Sequence, residues 1–142
     1  MTGKPVSSAL VALVAVAMLV PPRALSAQDA PPTPASVVDG VFTSDQAERG
    51  KKQFQQTCAA CHSTAEHTGR NFESRWNGST VGDLFDLVSN TMPESDPGGL
   101  KAEEYASILA FFLSESGYKE GPKELPSDLE SLKHIRIDVP AK

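Results

Sequence analysis

The 142-residue chain holds only two cysteines, Cys58 and Cys61, and three histidines. A structural zinc site takes four N or S ligands, so these two thiols cannot build one by themselves. A thioredoxin-like dithiol would sit in a βαβ pattern, and none surrounds them. Basic charge is also short: 13 Lys and Arg stand against 18 Asp and Glu, a formal net charge of −5. That excludes a nucleic-acid-binding domain, which needs a basic face for the phosphates. No apolar run is long enough to span a bilayer. The longest, Ala9 to Val20, has 12 residues, where a spanning helix needs about 20. No internal repeat occurs, and nothing before the C-terminal tail alternates with the period of a strand.

The first 27 residues read as a signal peptide. Lys4 gives a positive start, the Ala9–Val20 run follows, and Pro21-Pro22 breaks it. Ala24-Leu25-Ser26-Ala27 then ends in small residues suited to cleavage, although Leu25 is larger than the ideal. No cysteine follows the apolar run to carry a lipid anchor. The expected product is exported to the periplasm and has no membrane span. Cleavage there removes Lys4 and Arg23 but no acid, deepening the charge from −5 to −7. Residues 28–42 are Pro-rich and read as a flexible leader. Residues 43–118 form the expected domain, and 119–142 an extension that packs on it.

The class is all-α, with three main helices. The first is expected over Asp45–Ala60, capped by a Thr43/Gln46 box or by Ser44 directly. Its inner face is Ala47, Gly50, Phe54 and Cys58. Glycine costs about 1 kcal/mol in a helix interior, so Gly50 points to close approach of another helix. Arg49, Lys51 and Lys52 make a basic cluster on this helix, a solvated face or a docking point. The second helix, Val81–Asn90, has Thr80 and Asp83 at capping-box spacing and must stop near Met92, because Pro93 excludes its predecessor from αR. The third, Ala102–Ser116, is stapled by Leu100 and Tyr105 around Lys101. It carries Tyr105, Ile108, Leu109, Phe111, Phe112 and Leu113 inward and stops at Gly117. In the tail Leu125, Leu129, Leu132, Ile135, Ile137 and Val139 predict wrapping, with a short helix near Ser127–His134.

Chemistry enters at Cys58-Ala59-Ala60-Cys61-His62, a C-x-x-C-H sequence that reads as a c-type haem attachment site. Two thiols three positions apart can each add across one haem vinyl group, and the adjacent histidine becomes the proximal iron ligand. Met1 and Met18 leave with the signal, so Met92 is the one thioether remaining. Methionine in isolation is ordinary core filler. At a loop exit, in Thr91-Met92-Pro93, it is the candidate second axial ligand. His67, five residues past His62, is the rival ligand or an exposed loop residue, and His134 in the tail is solvated. Trp76 and Arg75 are candidates for the haem propionates, Trp76 by its N–H and Arg75 by its guanidinium fork. Core packing for Trp76 and a solvated charge for Arg75 are the alternatives. Phe72, Leu84, Phe85, Val88 and Leu100 are expected to line the pocket.

The pentapeptide, Trp76-Asn-Gly-Ser-Thr-Val-Gly-Asp-Leu-Phe, Thr91-Met92-Pro93, Pro97-Gly98-Gly99-Leu100 and Ile108-Leu-Ala-Phe-Phe-Leu together resemble class I mono-haem cytochromes c. The likeness is to the bacterial periplasmic type associated with quinoprotein alcohol or sugar dehydrogenases. It covers roughly Asp45 to Gly117. The resemblance implies one covalent haem c, His62 and Met92 on the iron, and electron transfer rather than catalysis. It also implies a redox donor and acceptor as partners, with a quinoprotein dehydrogenase as one candidate. In that family the first and last helices cross at a glycine–aromatic contact, which would bring Gly50 and Phe54 to Ile108 and Phe111. Many members have a proline soon after the motif whose carbonyl accepts the proximal histidine N–H. None lies between His62 and Met92, so the acceptor is expected near Gly69-Arg70. A haem-based enzyme subunit or gas sensor with a displaceable sixth ligand is the alternative function. A haem-free interaction module with a Cys58–Cys61 disulfide is the third.

Overall fold

The computed structural model describes residues 1–3, which carry no helix or strand, and residues 35–139. The proposed signal peptide therefore lies outside the described residues beyond its first three, as do residues 28–34 of the leader. Among the described residues no helix is long and apolar enough to cross a membrane.

Among the described residues the fold is all-α, with five α-helices rather than three: α1 (Ser44–Thr57), α2 (Gly69–Trp76), α3 (Val81–Thr91), α4 (Ala102–Glu115) and the short α5 (Leu129–Leu132). Helix α2 escapes a reading by apolar period because Gly-Arg-Asn-Phe-Glu-Ser-Arg-Trp has only two large apolar side chains, one turn apart. Phe72 nevertheless goes fully into the core. Gly69 opens α2 with its N–H bonded to Ser116 Oγ at 3.0 Å, which ties the helix start to the end of α4.

Local chemistry sets the helix ends. Thr43 Oγ1 accepts from the Gln46 N–H at 3.2 Å and caps α1. Gln46 does not complete the expected box. Its buried amide turns inward, accepts the Leu125 N–H at 2.7 Å and donates to the Leu125 carbonyl at 2.9 Å. At α3 the box is complete: Asp83 N–H reaches Thr80 Oγ1 at 3.1 Å, and Thr80 N–H reaches Asp83 Oδ2 at 2.8 Å. Helix α1 ends earlier than its apolar face suggested. From Cys58 onward the chain tightens into a turn in which the Cys58 carbonyl accepts from both Cys61 N–H (3.1 Å) and His62 N–H (3.0 Å).

The core is the crossing of α1 and α4. A side chain at Gly50 would run into the Ser107 carbonyl, so the two backbones touch there. Phe54 lies one turn on, 5.7 Å from the Phe111 ring and 5.6 Å from Phe112. Tyr105 to Leu113 are all buried, so α4 is apolar almost all round and serves as the central helix.

Both flanking segments pack on this body. Ala35–Ser36 (β1) pairs in parallel with Ile135–Arg136 (β2), and Val37 and Phe42 are fully buried. The leader is thus fixed from Ala35 onward, contrary to its reading as flexible to residue 42. In the tail, Leu125, Leu132, Ile135 and Ile137 are buried. Ile137 exchanges backbone bonds with Gly78 (2.8 Å) and Ser79 (2.9 Å), which braces the turn between α2 and α3. Arg49 of the basic cluster pairs with Glu124 at 2.8 Å. Both side chains are about half exposed, so the pair adds little stability.

Candidate haem site

A cavity of about 640 Å³ opens between α1, α2, α3, α4 and the loop after α3. All six residues singled out for the site lie on its wall: Cys58, Cys61, His62, Arg75, Trp76 and Met92. The turn that ends α1 presents the two thiols and the imidazole, while the C-cap of α3 presents Met92. Cys58 is half-buried, and that burial raises its thiol pKa. Cys61 is exposed and His62 half-buried.

Phe72, Leu84, Val88 and Leu100 line the cavity as expected, but Phe85 does not. It is buried behind the wall, its ring 6.1 Å from Tyr105. Leu87, on the adjoining turn of α3, takes part of the lining and is 41% exposed. Such a large exposed apolar surface facing a cavity is what a flat apolar ligand would cover.

The loop carrying Met92 is braced from two directions. Asp96 N–H bonds to the Pro93 carbonyl and Gly99 N–H to the Asp96 carbonyl, both at 2.9 Å. From α4, the buried Tyr105 hydroxyl donates to the Met92 carbonyl at 2.6 Å and accepts from the Leu100 N–H at 3.5 Å. Tyr105 thus holds both ends of the loop. The sequence offered Tyr105 only as core and staple.

His67 is not an exposed loop residue. It is half-buried on the cavity wall, stacked on Phe112 at 5.4 Å and set edgewise against His62 at 5.0 Å between ring centroids. Burial first, then the neighbouring His62, pushes its pKa down, so it is neutral. The contact between the two imidazoles leaves no room for a porphyrin between them, so His67 is not the second axial ligand opposite His62. Glu66 beside them was also missed by sequence reasoning. His62, Glu66 and His67 bring ligand atoms within 4.8 Å of one another. Trp76 is half-buried, packed on the core and facing the cavity, with the exposed Arg75 guanidinium 5.7 Å from its ring centre.

The residues fit a haem: two thiols, a histidine and a thioether converge on one largely apolar cavity whose volume lies in the range of cofactor sites. The family model described as cytochrome C oxidase, cbb3-type, subunit III matches residues 45–112, from the start of α1 to near the end of α4. No curated protein matches the chain, and no solved structure does. Fold and site together match the haem pocket of a class I c-type cytochrome, with one haem c attachment site and a histidine–methionine pair to hold the iron.

Proposed function

We infer that this chain is a periplasmic cytochrome that carries single electrons between a dehydrogenase and a downstream acceptor. The observation that carries this reading is the placement of Met92. It faces the same cavity as Cys58, Cys61 and His62, on a loop held by Tyr105. Haem bound there supplies a one-electron iron couple, raised in potential by methionine ligation.

The protein's own part is to bind, hold and shield. Cys58 and Cys61 would hold the haem through thioether links to its two vinyl groups. His62 and Met92 would be the two iron ligands, which suits outer-sphere electron transfer rather than substrate binding. Phe72, Leu84, Val88 and Leu100 keep water from the apolar face. Arg75 and Trp76, both on the cavity wall, would donate to the propionates, the guanidinium through its fork and the indole through its single N–H. No general base or nucleophile is needed. The net negative charge favours a partner with a basic patch. The leading 27 residues would direct export, and the matched family's name, an oxidase subunit, is in keeping with an electron-handling role.

Pyridine haemochrome analysis of the purified mature chain is the first test, with one covalent haem expected. Met92→Ala should then abolish the weak sulfur-to-iron band in the red and lower the potential markedly. An unchanged potential would defeat the ligand assignment. Carbon monoxide bound readily by the reduced wild type at neutral pH would favour the gas-sensor reading over the carrier.

A further inference from the structure

A metal-bound imidazole almost always donates its second ring N–H to a carboxylate, a carbonyl or a water, which fixes the ring and raises its basicity. No proline follows the attachment motif before Met92 to provide a carbonyl. Gly69 and Arg70, where that acceptor was sought, are not on the cavity wall. The group that does approach is Glu66, whose Oε2 lies 3.7 Å from His62 Nδ1.

The backbone explains the approach. After His62 the chain makes a single 3₁₀ turn, Thr64–Glu66, which returns Glu66 to His62 four residues on. The Ser63 N–H donates to the same Oε2 at 3.3 Å and holds the carboxylate in place. As a carboxylate, Glu66 offers only acceptor oxygens toward the ring N–H. The His67 ring, fixed by its stack on Phe112, packs edgewise against His62 and confines the imidazole. At 3.7 Å the pair is longer than a hydrogen bond. Closing it needs under about 1 Å of movement, and the Glu66 side chain is 58% exposed and able to turn.

We propose that Glu66 is a positioning residue for the axial histidine: its carboxylate accepts the His62 Nδ1–H and leaves Nε2 to face the iron. An anionic acceptor gives the ring partial imidazolate character, which stabilises the oxidised iron more than a carbonyl acceptor would. The reduction potential is therefore held lower than the methionine ligand by itself would set it. The proposal rests on the carrier reading above.

The test compares wild-type holoprotein with Glu66→Gln, and with Glu94→Gln as a control. Glu94 is a carboxylate on the same cavity wall but in the Met92 loop, so its removal changes the local field without touching His62. The first measurement is the proton resonance of His62 Nδ1–H and its exchange with solvent in the reduced state. The second is the reduction potential at one fixed pH. Glu66→Gln should move the resonance upfield, speed its exchange severalfold and raise the potential more than Glu94→Gln does. The red sulfur-to-iron band should be retained. A Nδ1–H resonance and exchange rate unchanged in Glu66→Gln, or a potential shift matched by Glu94→Gln, would overturn the proposal while leaving the carrier reading intact. Absence of covalent haem from the wild type would overturn the carrier reading first.

Discussion

The Tyr105 hydroxyl donates a 2.6 Å hydrogen bond to the carbonyl oxygen of Met92, joining the central helix to a residue that shares the cavity wall with His62. The bond acts on the backbone and leaves the thioether free to face the cavity. Tyr105→Phe keeps the ring that packs on Phe85 and removes the hydroxyl's two bonds to the loop, to the Met92 carbonyl and from the more distant Leu100 N–H. A lost hydrogen bond of this kind costs about 1 kcal/mol, a modest loss of global stability. The larger effect falls on the loop, whose open state should become severalfold more populated. Exogenous imidazole should then displace Met92 at severalfold lower concentration than in the wild type. A visible-band titration with imidazole checks this, and an unchanged midpoint would mean that the two loop turns hold Met92 without Tyr105.

Gly50→Ala tests the α1–α4 crossing. Alanine is the better helix former by about 1 kcal/mol, so an isolated helix would gain. Here the added methyl meets the Ser107 carbonyl and has nowhere to go. Overpacking of this kind costs about 1–3 kcal/mol, and against rigid backbone the upper end is expected to outweigh the propensity gain. Urea unfolding of the holoprotein should show a lower midpoint with an unchanged slope. A higher midpoint would show that the helices separate freely.

What could be read in the sequence, and what could not, divides along local and long-range chemistry. The start of α3 is written in Thr80 and Asp83 and its end in Pro93, all within a few residues of the helix they bound. Cys58, Cys61 and His62 announce themselves by spacing, and Gly50 by its rarity inside a helix. Tyr105 and Glu66 give no such sign, because their partners, a backbone carbonyl 13 residues away and a ring nitrogen across a 3₁₀ turn, leave no periodic trace. Helix α2 is missed for the opposite reason. Its polar residues hide a two-residue apolar face that matters only because the core, with the Tyr118 ring 6.0 Å away, is there to receive Phe72. Phe85 shows the limit of reading a helix face. It shares the apolar face of α3 with Leu84 and Val88, yet those two reach the cavity and Phe85 turns to Tyr105.

Gln46→Ala tests the attachment of the tail. The buried amide exchanges two hydrogen bonds with the backbone of Leu125, 79 residues away. Truncation leaves that N–H and carbonyl buried without partners, at about 1–3 kcal/mol for each unsatisfied group. The predicted result is a loss of about 2–4 kcal/mol, with the tail released before the haem domain unfolds. Limited proteolysis should cut the variant between Tyr118 and Asp128 under conditions in which the wild type is resistant. Equal resistance would show that Leu132, Ile135 and Ile137 retain the tail unaided.

The Thr80–Asp83 box gives a pH-dependent prediction whose sign is fixed. Hydrogen bonds from the Thr80 backbone N–H and then its side chain lower the Asp83 pKa in the folded protein. A carboxyl whose folded pKa lies below its unfolded value adds stability that is fully present above the unfolded pKa. That stability is lost as pH falls through the folded one. Asp83→Asn keeps an acceptor oxygen but removes the charge, both from the box and from the N-terminus of α3, where a negative charge is favoured. The variant should therefore be less stable than the wild type at pH 7, by about 0.5–1 kcal/mol. The difference should shrink towards zero below the ordinary aspartate range, where the wild-type carboxyl is itself protonated. Parallel urea titrations at neutral and acid pH measure it. A gap that stays constant with pH would assign the loss to altered geometry at the cap rather than to charge.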